Sequence, residues 1–254
     1  MHGTQPHAEI SAAPRPRKPK RARRAARRGF TLIEAAMTTV IIGVGVVAMV
    51  EAQQSFLRSN NWSNQASTAT LLAREIREFT RFLPRHDPVT GLYFETDDDG
   101  NVTGLAGWGP EEGEVVASDF DDIDDFDGMT FTYLGDDGIV DGDLPGPINA
   151  FGYAIEEIDF DGAIVYELDP DTGTAAVDED GVPIIVNMQG WSQTVVVEKV
   201  MPYDVWPDTP VLNDFSDADN EVDEFPLRVT VIIDYQGPAD AQPSEITRMT
   251  WIVP

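Results

Sequence analysis

From Phe30 to Val50 the chain runs 21 residues with one charged side chain, Glu34. As a helix rising about 1.5 Å per residue, this stretch spans roughly 31 Å, the thickness of a bilayer's hydrocarbon core. Gly43 and Gly45 weaken a helix in water but are common in membrane helices, where they admit close neighbours. A second pattern follows. Leu72, Ile76, Phe79 and Leu83 recur at steps of four, three and four, an apolar stripe at helical spacing. Arg74, Glu75, Arg77, Glu78 and Arg81 take the opposite side, with Arg74 and Glu78 spaced to pair. Pro84 ends the run by removing a donor and clashing with the preceding turn. Residues 59–70, rich in Ser, Asn and Thr, form helix less readily and predict a loosened stretch. The stripe predicts a face on which the rest of the chain packs, rather than a cofactor groove.

Beyond Pro84 the period changes. Phe151–Ala154, Ala163–Leu168, Val182–Val186 and Gln193–Glu198 are short candidate strands, the first two bounded by Asp-Gly turns. The clearest pair closes the chain: Leu227 to Tyr235 alternates, Gln236-Gly237-Pro238 opens a polar loop, and Glu245 to Val253 returns. The predicted organisation is residues 1–29, a basic leader; 30–83, one helix whose first part, 30–50, is membrane-spanning; and 84–254, a β-rich head.

Charge sharpens that division. Nine of the 17 basic residues lie in the first 28 positions beside one acid, Glu9, although the whole chain carries a net −28. Past residue 86 only Lys199, Arg228 and Arg248 face forty acids. So acidic a head repels phosphates and anionic headgroups, which argues against nucleic-acid binding by the head. The chain has no cysteine, excluding disulfides and thiolate metal sites.

At the boundary stands Arg27-Arg28-Gly29-Phe30-Thr31-Leu32-Ile33-Glu34, then sixteen uncharged residues. A basic leader keeps the N-terminus cytoplasmic and sends the head outside. An acid one turn inside an apolar helix is expensive unless it has a task. Two rival readings fit parts of the pattern. Val50-Glu51-Ala52 loosely matches a signal-peptide cleavage site, giving a mature chain from Gln53. Arg27-Arg28-Gly29-Phe30-Thr31-Leu32 loosely matches a twin-arginine export signal. Either leaves an exported soluble acidic binding protein cleaved near Ala52, and neither has a use for Glu34.

The octapeptide from Arg28 to Ala35 resembles the class III leader of type IV prepilins and type II secretion pseudopilins. That resemblance, specific over residues 27–83, implies cleavage between Gly29 and Phe30 by a prepilin peptidase, with methylation of Phe30. It implies that Glu34 pairs with the α-amine of a neighbouring subunit during assembly. It implies an α+β fold, a long N-terminal helix serving as membrane anchor and stalk and packed against a C-terminal antiparallel β-sheet head. The implied partners are the peptidase, other pilin or pseudopilin subunits and an inner-membrane assembly platform. The implied location is the inner membrane as a single-pass protein with a periplasmic head, then a pilus or pseudopilus at the cell surface. Glu51, where many major pilins have proline, and the large head point to a minor subunit.

Candidate chemistry in the head is confined to acidic runs. Asp97-Asp98-Asp99-Gly100-Asn101, Asp119 to Asp127, Asp141-Gly142-Asp143 and Asp217-Ala218-Asp219-Asn220-Glu221 look superficially like calcium loops. None matches the EF-hand pattern, and the plainer reading is a solvated acidic surface with turn-forming Asp-Gly pairs. Asp97, Asp99, Asp217, Asp219 and Glu221 are the candidate calcium ligands; no other cofactor is implied. No catalysis is expected: His2 and His7 belong to the leader, leaving His86, and there is no Gly-x-Ser-x-Gly, phosphate loop or His-Glu-x-x-His. Trp108, Trp191, Trp206 and Trp251 offer material for a binding platform or for the core.

Overall fold

A computed structural model describes residues 30–135, 143–178, 180–207 and 209–254. The leader, Gly29, Asp141 and Gly142 lie outside them. Contacts divide the chain into two compact parts, which meet between Ser55 and Phe56.

One helix, α1, runs from Leu32 to Phe79 and tightens into a 3₁₀ turn at Thr80–Phe82 before Pro84. In its first part no residue of the apolar stretch is buried, and among the described residues this is the one helix long and apolar enough to cross a membrane. The hydroxyls of Thr38 and Thr39 donate to carbonyls one turn back, which satisfies both within the helix.

From Phe56 onward α1 stays helical, and the loosened stretch expected at 59–70 is regular α-helix. Ser67 and Thr70 return their hydroxyls to the carbonyls of Ser63 and Ala66, and Ala69 is fully buried, so tertiary packing overrides weak propensity. Leu72 and Ile76 enter the core; Phe79 and Leu83 pack at its margin. The small residues Ala69 and Ala73 share that face, which lets the helix backbone approach what it packs on. Glu78 pairs with Arg81 rather than Arg74, at 3.3 Å and largely exposed.

The head is a five-stranded sheet against this stripe. Its strands are β3 (Thr130–Thr132), β4 (Asp143–Pro145), β5 (Trp191–Lys199), β6 (Leu227–Tyr235) and β7 (Ser244–Val253). Their order is β4-β3-β5-β6-β7, antiparallel except for the parallel β3–β4 pair. Along β5 and β6 every second side chain is buried. Val195 sits opposite Val231 and Val197 opposite Val229, the inward layer that meets Ala69, Leu72, Ala73 and Ile76. The fold is therefore α+β, helix on sheet. A separate hairpin, β1 (Tyr93–Thr96) and β2 (Val102–Ala106), precedes it.

Three of the anticipated strands are shorter than the alternation suggests. Between Ile148 and Met188 the chain makes single bridges, among them Ile158 with Ile164, Tyr166 with Ile185 and Val177 with Pro183. The cause is a turn recurring about every ten residues, and Pro183 has no donor to extend a ladder. Asn149, Asp159 and Asp178 each accept, through Oδ1, the backbone N–H groups two and four residues on. A glycine with φ near +80° fills the position three residues on: Gly152, Gly162 and Gly181. Asp97 and Gly100 build the same turn between β1 and β2.

Candidate functional site

Among the described residues, two places hold side chains whose chemistry the fold does not consume. The first is the start of α1. Phe30 is exposed and precedes the helix, and Thr31 caps it, its Oγ1 accepting the Glu34 N–H at 3.3 Å. Thr31 and Glu34 have the spacing of a capping box, but among the described residues the Glu34 carboxylate accepts no hydrogen bond and has no ion-pair partner. It is an exposed acid at the head of an unburied apolar stretch.

The second lies in the head and was only half legible beforehand. The run Asp119–Asp127 contains Phe120, Ile123 and Phe126 at steps of three, and all three are core residues. Phe126 meets the rings of Phe79 and Phe120 edge-on, at 5.5 and 5.0 Å between centroids. Seating these apolar side chains drags the intervening acids inward: Asp122, Asp124 and Asp125 are 0% exposed. The expectation of a solvated acidic surface is thus corrected here. Hydrophobic burial of every third residue outweighs the preference of its neighbours for water.

Each buried acid is partly used. Asp122 Oδ1 accepts the N–H groups of Asp124 (2.8 Å) and Asp125 (3.2 Å); Asp125 Oδ2 accepts those of Asp121 (3.1 Å) and Asp122 (3.2 Å). Asp124 accepts from Gly109 and lies against Nδ1 of His86. The other oxygens of Asp122 and Asp125 are buried without any partner, as is Oε1 of Glu111. Carboxylate oxygens of Glu111, Asp122 and Asp125 all lie within 4.8 Å of one another, and so do those of Glu114, Asp121 and Asp125. Such a group can hold a hard cation.

Electrostatics agree with the crowding. Burial first, then the neighbouring acids, pushes Asp122 up to about 9 and Asp125 up to about 7; Glu111 is raised for the same reasons. Burial lowers His86 to about 4, with Arg85 and Lys199 adding repulsion. Burial also raises Asp124, so both members of the His86–Asp124 pair are pushed away from their charged forms.

Glu111 and Glu114 were not singled out from the sequence. The signal available was the apolar step of three inside the acidic run, preceded by the glycine-dense loop Gly107-Trp108-Gly109-Pro110-Glu111-Glu112-Gly113-Glu114. The candidate calcium ligands read from the sequence lie elsewhere in the head. Asp97 and Asp217 are exposed and spend their oxygens on their own loops, Asp97 on Asp99 and Asn101, Asp217 on Asp219 and Asn220. Those hydrogen bonds hold both carboxyls below their usual range. Asp99, Asp219 and Glu221 are exposed and belong to no close group of acids among the described residues.

Of the four tryptophans considered, Trp191 is buried, and Trp108 and Trp251 pack against the core. Trp206 is 62% exposed and borders a 340 Å³ cleft over the outer face of β5, β6 and β7, beside Glu198, Arg228, Thr230 and Thr250.

No protein-family model, curated protein or solved structure matches the chain.

Proposed function

We propose that the chain is a minor type IV pilin or pseudopilin subunit. It is made with a basic leader, cut between Gly29 and Phe30 by a prepilin peptidase, and held in the inner membrane by the first part of α1. Its assembly platform then moves it into a pilus or secretion pseudopilus beside its sister subunits. The observation that carries this reading is Glu34, a carboxylate with no partner among the described residues, in the first turn of a helix whose apolar first part is not buried. An unpaired acid in hydrocarbon is costly, and a matched charge in low dielectric binds strongly. The α-amine freed on Phe30 of an already docked subunit supplies that match and sets axial register.

The head supports the same role. Phe151, Tyr153, Ile158 and Phe160 lie exposed along the turn-rich segment, an apolar surface suited to contacts between heads. The rival is a soluble acidic binding protein exported and cleaved near Ala52. Against it, α1 continues without a break from Val50 through Gln53.

The test is Glu34→Gln in the native host. Processing to the mature form persists while incorporation into sheared fibres or pseudopili is lost. Assembly at wild-type levels contradicts the pairing.

A further inference from the structure

We propose that Glu111, Asp122 and Asp125, with Glu114 and Asp121 at the rim, form a calcium site that ties the 107–114 loop to the 119–127 turn. The first argument is the pattern of satisfied and unsatisfied oxygens. Asp122 and Asp125 are fully buried, and each commits one oxygen to two backbone N–H groups, which fixes the carboxylate plane. The second oxygen of each is buried with no partner, and Glu111 contributes a third such atom. Buried polar atoms are nearly always hydrogen-bonded, so three orphan oxygens from three clustered residues mark a place where a ligand belongs.

The ligand's chemistry follows from what surrounds it. Among the described residues no basic side chain pairs with these acids; the ion pairs are Arg81–Glu78, His86–Asp124, Arg228–Glu198 and Arg248–Glu245. A cation from solution supplies the positive charge that these oxygens lack. Every donor is a carboxylate oxygen, which selects a hard cation over a soft one. Oxygens bound about 2.4 Å from one calcium ion lie no more than about 5 Å apart; the oxygens of each trio fall within 4.8 Å of one another. Asp125 belongs to both trios, so an ion held by Glu111, Asp122 and Asp125 has Glu114 and Asp121 beside it, and water completes the shell. Asp121 is exposed and Glu114 half-buried, which gives the ion an entry side.

The site is independent of whether the chain is processed at Gly29. Its consequence is mechanical. Glu111 stands on the loop opened by Gly107, whereas Asp122 and Asp125 stand between the core residues Phe120, Ile123 and Phe126. Calcium bridging the two locks the loop to the core.

The experiment is a titration of the full-length chain in detergent, stripped with a chelator and then given calcium chloride or magnesium chloride, followed by calorimetry and thermal melting. Calcium produces saturable heat and a rise in melting temperature, and magnesium at equal concentration produces a smaller one. Asp125→Asn and Glu111→Gln each weaken calcium binding at least about tenfold, whereas Asp97→Asn and Asp217→Asn leave it unchanged. Glu111→Gln, on a half-buried loop residue, guards against a variant that fails to fold. Absence of a calcium response in the wild type, a magnesium response as large as calcium's, or undiminished binding in both Asp125→Asn and Glu111→Gln overturns the site.

Discussion

Gln193 of β5 donates from Nε2 to the carbonyl of Leu72 in α1 at 2.9 Å, across a gap that is otherwise hydrocarbon. The same amide donates to the Ile148 carbonyl at 3.1 Å, and its Oε1 accepts the Ile148 N–H at 2.7 Å. One fully buried side chain thus joins the helix, the central sheet and the entrance to the turn-rich segment. A buried network of this kind is stabilising only when complete. Gln193→Leu keeps the volume but orphans the Ile148 N–H, and it lowers stability by about 2 kcal/mol. Denaturant melting of the purified chain reads this as a lower midpoint; an unchanged midpoint contradicts the role.

The apolar stripe makes a sharper contrast between neighbours. Ile76 is 0% exposed and Leu71 is 57% exposed. Ile76→Ala removes core contacts and costs about 2–5 kcal/mol. Leu71→Ala stays within about 0.5 kcal/mol of wild type. Similar losses at both positions contradict the packing of this face.

Lys199 carries a pH signature. Its ammonium is buried at the end of β5, donating to the carbonyls of Asn213, Phe215 and Val222 and lying 5.4 Å from the Phe225 ring centre. Burial pushes it down from 10.5 to about 8, against the opposing pull of Asp214, Asp124 and Asp223; His86 is the nearby basic group whose own protonation it opposes. Between those values the unfolded chain holds a proton that the folded chain has lost, so this group's contribution to stability rises with pH across the window. The penalty is fully present below about 8 and relieved above 10.5, a change on the order of 3 kcal/mol. Melting curves at about pH 7 and about pH 10 should bring wild type up relative to Lys199→Met. Parallel behaviour of the two contradicts it.

Gly107 tests the loop that carries Glu111. Its φ is +81°, and a Cβ there would lie 2.2 Å from the Gly91 carbonyl oxygen. Gly107→Ala therefore strains the backbone and forces the two loops apart, at a cost of about 1–3 kcal/mol. A variant as stable as wild type contradicts this close approach.

Much of the architecture was legible because it follows simple periods. Leu227 to Tyr235 is β6 as alternation alone places it, and the final strand differs by one residue at its start, Ser244 instead of Glu245. The stripe from Leu72 to Leu83 announces the packing face by its own spacing. The failures have one physical source, local preference overridden by distant contacts. Residues 59–70 are poor helix formers that stay helical because Ala69 is held in the core. The acids at Asp122 and Asp125 read as solvent-facing until Phe120, Ile123 and Phe126 find their partners. Glu111 and Glu114 join them only through a loop closure that no short-range pattern encodes. The turns at Asp97 and Asp217, by contrast, are local chemistry, each carboxylate accepting the N–H groups of its own loop.

The central claim is that Glu34 works in a subunit whose chain begins at Phe30. Mass spectrometry of the N-terminal peptide of the protein from its native membrane tests that most directly. The account predicts a mature chain starting at an N-methylated Phe30, in membrane or fibre. A chain starting at Gln53, recovered free of membrane, contradicts it.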